Sequence, residues 1–187
     1  MNADAIKWND RYRAGVESAF TQPRPFLVES KNFLPRTGLA LDVAMGLGGN
    51  AACLIDRGLR VIGFDVSEVA VHRAKDRLPT LMAAVIDLER FNQPAASFDV
   101  VINFYYLQRD LWPLYRRVIR SGGLLIFESL LIDTLQVRPD FIPEYLLQPG
   151  ELLSAFSDWD ILMYREGWRD TDCDSPRAIA SLVARQR

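Results

Sequence analysis

The stretch from Leu39 to Ser67, "LALDVAMGLGGNAACLIDRGLRVIGFDVS", leaves little freedom in how the chain folds. A short apolar run ends in a turn holding Gly46, Gly48 and Gly49, and a helical pattern follows from Gly49 to Arg57. Gly58 stops that helix, and a second apolar run closes on Asp65. Ser67 then stands as N-cap of the next helix, "EVAVHRAKDRL". Strand, helix and strand at this spacing make a crossover unit with parallel strands.

The alternation continues. "LMAAVID", "FDVVINF" and "GLLIFES" read as strands, and "RDLWPLYRRVIR" as the helix before the last of these, with Pro113 in its first turn. Upstream, "ADAIKWNDRYRAG" is an amphipathic helix stopped by Gly15, and "RPFLVESKNFLP" a second one bounded by Pro25 and Pro35. After Ser129 the pattern loosens into "LIDTLQVRPDFIPEYLLQ", read as a lid. A short helix "PGELLSAF" follows, then two strands, "WDILMYREG" and "PRAIASLVARQR", with no helix between them and hence antiparallel. The expected fold is α/β: a Rossmann-like, doubly wound, mostly parallel seven-stranded sheet ending in an antiparallel strand pair. One domain is expected over 1–187, with a helical cap at 1–36, a cofactor-binding core at 37–130, and the lid and terminal strands at 131–187.

A length of 187 residues suits one such core, and a net charge of −2 disfavours a polyanionic partner such as nucleic acid. The two cysteines, Cys53 and Cys173, give neither a disulfide framework nor zinc spacing, and no metal is expected. No apolar run suits a signal peptide or a membrane span, so the expectation is a cytoplasmic protein without a membrane partner.

In an open parallel sheet, ligands bind beyond the carboxyl ends of the strands, where the strand order reverses. The turn "AMGLGG" lies there, and its glycines let a ligand approach the main chain. Asp65, at the end of the second strand, suits an acid accepting from ribose hydroxyls. "GLGGNA" also satisfies a dinucleotide pattern, so a nicotinamide cofactor stays open as a second reading. Asp42 weighs against it: a carboxylate just before the turn repels a pyrophosphate but welcomes an ammonium group. S-adenosyl-L-methionine carries that group, a sulfonium, and no phosphate.

"LDVAMGLGGNAACL", "VIGFDVS", "AVIDLE" and "VIRSGGLLIFE" together resemble, in order, the motifs of class I S-adenosylmethionine-dependent methyltransferases. "WNDRYRAG", "PFLVE", "FYYLQRDLWP" and "YLLQPGELL" further resemble a group of small bacterial methyltransferase-domain, or tellurite-resistance-like, proteins. The chain departs from that pattern at Met45, where cysteine is common, at Leu47 and Gly49, where arginine is common, and at Gln108-Arg109, where a His-Arg pair is common.

The resemblance implies roles for particular residues. Asp42 would hold the methionine amino group, with Ala44, Gly46 and Gly48 in the turn. Asp65 would take the ribose hydroxyls, Val66 pack on the adenine, Asp87 accept from its amino group, and the Leu88 amide donate to the ring. Asn50 would cap the first crossover helix or touch the ligand. Asn103 and Phe104 would border the transfer site, with Tyr105, Tyr106, Gln108 and Arg109 on its rim, and Trp8 and Tyr12 would cap the cofactor. Tyr105, Tyr106 and Arg109 are the candidate catalytic residues. Arg109 and Arg138 would bind an anionic part of the acceptor beneath the lid, which carries Phe141 and Tyr145. His72 is expected on the surface and Cys53 in the core; Cys173, between two acids, is expected to have a raised pKa. No Ser-His-Asp set and no evident general base is present, so the expected reaction is methyl transfer to a small molecule by positioning. A non-catalytic nucleoside-binding module is the alternative. The protein is expected to be a monomer or homodimer.

Overall fold

A computed structural model of the chain describes residues 3–15, 18–88, 94–169 and 176–187. The expectation for Cys173 lies outside them. Three short helices come first: α1 (Ala3–Arg13), α2 (Ser18–Thr21) and α3 (Pro25–Glu29). Then follow β1 (Leu39–Val43), α4 (Gly49–Arg57), β2 (Arg60–Asp65), α5 (Glu68–Arg77), β3 (Met82–Val85) and β4 (Phe98–Phe104). The second half holds α6 (Trp112–Val118), β5 (Ile119–Leu130), α7 (Glu151–Ala155), β6 (Asp160–Arg169) and β7 (Arg177–Arg185).

The seven strands form one sheet in the order β3-β2-β1-β4-β5-β7-β6. The first five neighbours run parallel, and β7 pairs antiparallel with both β5 and β6. Strand order therefore reverses between β1 and β4, where register sets Asp42 opposite Ile102 and Val43 opposite Asn103. β4 is buried along its whole length, which its continuous run "FDVVINF" anticipates for a central parallel strand. One face of the sheet is covered by Phe26, Leu27, Leu54 and Val71 from α3, α4 and α5. The other is covered by Leu114, Tyr115 and Leu152 from α6 and α7, and by Phe156 just beyond α7.

Local chemistry fixes the element ends. Gly58 takes a left-handed φ of 106° and closes α4 through the Ile55 carbonyl. Ser67 Oγ accepts from the Ala70 amide at 3.1 Å and donates to Asn9 Oδ1 at 2.7 Å, so one cap serves α5 and also docks α1 on it. Two expectations change. The predicted helix between Pro25 and Pro35 stops at Glu29 and continues as a 3₁₀ turn over Ser30–Asn32, where the buried Ser30 Oγ donates back to the Phe26 carbonyl. The predicted helix before β5 likewise opens with a 3₁₀ turn, Arg109–Leu111. No helix of the described residues is long and apolar enough to cross a membrane.

Asp42 is an acid in the middle of β1 and is 1% exposed. One of its carboxylate oxygens has no hydrogen-bond partner. Burial, and next the charge of Asp65, push its pKa from 3.8 up to about 8, against a lowering by the Ala51 amide. Between those two values the folded chain keeps a proton that the unfolded chain has released, so stability falls as pH rises through that window. Urea unfolding is expected to show this fall, at up to about 1.4 kcal/mol per pH unit for one proton. Asp42→Asn should flatten it; an unchanged slope in that variant would place the titration elsewhere.

Candidate active site

The C-terminal ends of β1, β2, β3 and β4 open onto one cleft. The turn after β1 forms its floor. Ala44, Gly46 and Gly48 all have left-handed φ values, of 53°, 56° and 75°. The turn is held from β2: the Met45 amide donates to the Phe64 carbonyl at 2.9 Å, and the Gly46 amide to Asp65 Oδ2 at 2.8 Å. Asp65 Oδ1 accepts from the Ser67 amide at 2.8 Å. Burial raises the Asp65 pKa, and the Ser67 and Gly46 amides oppose that rise.

Two glycines are sterically required. A Cβ on Gly49 would stand 2.4 Å from the Gln22 carbonyl oxygen, and one on Gly46 would stand 2.9 Å from the Tyr12 hydroxyl, in a backbone conformation that side chains avoid. The backbone is thus bare where the N-terminal helices close over it. Trp8 and Tyr12 stack with ring centroids 5.7 Å apart, and Phe20 meets Tyr12 edge-on at 5.8 Å.

Ten predicted site residues come together on the cleft wall: Trp8, Tyr12, Ala44, Gly46, Asp65, Val66, Asp87, Leu88, Tyr105 and Tyr106. Phe104 and Asn50 also line it. Asn50 is neither the cap of α4, which is Gly48, nor free: its Oδ1 accepts the Arg24 amide at 2.8 Å. Three of the residues predicted to touch the cofactor are not on the wall. Asp42 lies beneath the turn, Gly48 turns toward Ala74 and Leu78, and the buried Asn103 donates to the Tyr115 hydroxyl at 2.7 Å.

Arg109 requires a correction. It is not on the cleft wall; its guanidinium grips Glu151 through two hydrogen bonds, at 2.5 and 2.9 Å, and donates to the Glu144 and Leu146 carbonyls. It ties the lid to α7. Arg138 is paired with Asp140 at 3.0 Å and stacks on Phe141. Phe141 packs behind Tyr105, among Leu130, Leu146 and Ile179, while Tyr145 is exposed. His72 is on the surface and Cys53 is in the core.

The rim after β4 is rigid. Tyr105 has a left-handed φ of 59°, unusual for a side-chain-bearing residue. Its amide donates to the Glu128 carbonyl at 2.8 Å, and its hydroxyl to Glu128 Oε1 at 3.0 Å. Glu128 Oε2 accepts from Ser181 at 2.7 Å. Burial pushes both the Tyr105 phenol and the Glu128 acid upward. Tyr106 donates to Gln108 at 2.5 Å. Sequence reasoning missed Asp4, Phe20, Gln22 and Arg24 on the wall. The only local signal for the last of them was the motif "QPRP", a rigid approach to a helix start.

The wall carries groups that suit a nucleoside. It offers a bare glycine turn, the Asp65 carboxylate at the turn's flank, and Asp87 beside the apolar Ile86 and Leu88 at the end of β3. Residues 40–123 match the family described as methyltransferase domain. A "Probable S-adenosylmethionine-dependent methyltransferase" from Mycolicibacterium smegmatis is 33% identical over 95 residues, which cover 48% of this chain and 37% of that protein. The chain thus spans little more than a third of that curated relative. The crystal structure of TehB from Haemophilus influenzae superposes with a TM-score of 0.76 at 16% identity, over 96% of this chain and 67% of that one. Geranyl diphosphate C-methyltransferase from Streptomyces coelicolor, solved with S-adenosyl-L-homocysteine, gives 0.73 at 13% identity, over 98% and 96%. Residues 40–123 are thus similar to methyltransferase domains, and the fold of the whole chain is that of the solved structures.

Proposed function

We propose that this chain transfers a methyl group from S-adenosyl-L-methionine to a small-molecule acceptor by in-line displacement, and that it acts by positioning. The observation carrying this reading is that Asp65, the left-handed turn at Ala44–Gly46 and the Tyr105-Tyr106 rim all face one cleft. The cofactor supplies a methyl group already activated on a sulfonium. Asp65 would accept from the ribose hydroxyls on lone pairs that Gly46 and Ser67 leave free, and Asp87 and Leu88 would meet the adenine edge. Val66 would pack on the adenine face, and Trp8 and Tyr12 would exclude water from above. Asp42, Gly48 and Asn103 would act from behind the wall, by holding the turn and the end of β4.

The rim supports positioning over base catalysis. Both rim tyrosines already donate their hydroxyl protons, to Glu128 and Gln108, and the Tyr105 phenol is harder to ionise than usual. A thiol, an amine or another acceptor that needs no strong base suits such a rim. A small acceptor also suits a cleft roofed by the α1 and α2 aromatics.

Calorimetry with S-adenosyl-L-homocysteine tests the cofactor arrangement. Asp65→Ala is expected to weaken binding by about ten- to a hundredfold, as for lost hydrogen bonds to a charged group. Equal affinity in the variant would remove Asp65 from the site. Labelled methyl transfer to a panel of thiols, amines, phenols and tellurite tests turnover; binding without transfer to any of them would favour the non-catalytic alternative. Tyr105→Phe is expected to keep kcat within about tenfold of the parent, since a true general base is worth a hundredfold or more. A thousandfold fall in kcat at constant KM would make Tyr105 a base.

A further inference from the structure

Arg24 is the one cation on the cleft wall among the described residues. It precedes Pro25 as N-cap of α3, with extended backbone angles of −66° and 139°. Asn50 Oδ1 holds its amide at 2.8 Å, which pins the residue to the first turn of α4. Its guanidinium carbon lies 4.8 Å from the Tyr105 ring centroid and 5.8 Å from that of Phe20. Stacking of this kind engages the flat faces of the guanidinium and leaves its N–H edge able to donate.

Four other arginines are held by acids, whereas Arg11 stacks on Trp8 and Phe20. Arg165 pairs with Glu29 at 2.6 Å, Arg109 with Glu151, Arg138 with Asp140, and Arg116 with Asp158. Arg24 makes no ion pair among the described residues. Its platform is fixed: Tyr105 is locked in a left-handed conformation by two hydrogen bonds to Glu128. A planar five-donor group is thus aimed by stacking but carries no anion, which is how a carboxylate is received end-on.

Charge is divided across the cleft. Asp65 and Asp87 stand on the β2 and β3 side of the reversal point and Asp4 on α1, while Arg24 stands on the β4 side against Tyr105, whose hydroxyl is held by the buried Glu128. We propose that Arg24 is the carboxylate receptor of this cleft, holding the acidic end of a ligand whose neutral or cationic part lies toward Asp65. This rests on the methyl-transfer reading and adds a chemical requirement to it. The carboxylate has two sources: the amino-acid end of the cofactor, or an acid group on the acceptor. The anion-binding role expected of Arg109 and Arg138 passes to Arg24.

Calorimetry on the parent chain, Arg24→Ala and Arg24→Lys separates the cases. The probes are S-adenosyl-L-homocysteine and methylthioadenosine, the same nucleoside thioether without its amino-acid end. If the cofactor supplies the carboxylate, Arg24→Ala lowers homocysteine-nucleoside affinity about ten- to a hundredfold, Arg24→Lys recovers part of it, and methylthioadenosine binding is unchanged. If the acceptor supplies it, nucleoside binding is the same in all three proteins. Benzoate, but not neutral benzyl alcohol, then binds the nucleoside-loaded parent and loses that binding in Arg24→Ala. Equal binding of every probe by parent and variants overturns the proposal while leaving the cofactor reading intact; failure of the parent itself to bind the nucleoside overturns both. Because the Asn50 bond is to the Arg24 main chain, both variants keep it, and circular dichroism is expected to show unchanged folds.

Discussion

The carboxylate of Asp65 holds this site together. It sits at the end of β2, almost fully buried, and takes one amide from the β1 turn and one from the start of α5. Those two bonds join the turn after β1, the end of β2 and the start of α5 at the point where the sheet opens. Without them the Gly46 amide would be unsatisfied, and the turn would lose its tether to the neighbouring strand. The same carboxylate faces the cleft, so the group that shapes the binding floor is also offered to what lies on it. An acid held this way by main-chain donors keeps its orientation in the absence of ligand, and such preorganisation lowers the cost of binding.

Conformational strain is concentrated around this floor. Ala44 and Tyr105 are both left-handed, and they follow β1 and β4, the two strands flanking the reversal. Each such residue costs on the order of 1–3 kcal/mol and persists only where its surroundings over-determine it. For Ala44 the surroundings are the Met45 and Gly46 bonds to β2; for Tyr105 they are both of its bonds to Glu128. Both lie on the cleft wall, which is where strain serves positioning.

Much of this was readable from residue order. The apolar runs, the glycine turn, the Gly58 stop and the Ser67 cap are local signals, and each fixes an element end in the structure. The antiparallel terminal pair followed from the lack of room for a helix between two strands. What local reading could not supply was pairing across long separations. Arg109 looked like a rim cation because it follows β4 closely, but its partner Glu151 arrives from α7 and turns its side chain to the lid. Arg24 stood only at the start of a predicted helix with no role, because only the fold lays the chain before α3 against Tyr105. Asp42 matched a ligand-binding motif by position, and the fold buries its carboxylate beside the Ala51 amide. Sequence located the floor of the site and the structure supplied its far wall.

The central claim is that the Gly46 turn and Asp65 receive a phosphate-free nucleoside with a cationic tail. Amide chemical shifts measured during parallel titrations with S-adenosyl-L-homocysteine and NAD test it most directly. The account predicts saturable shifts at Gly46, Gly48, Gly49 and Val66 with the first ligand and none of comparable size with the second. Unmoved glycine amides in the presence of bound S-adenosyl-L-homocysteine, or stronger shifts with NAD, would contradict it.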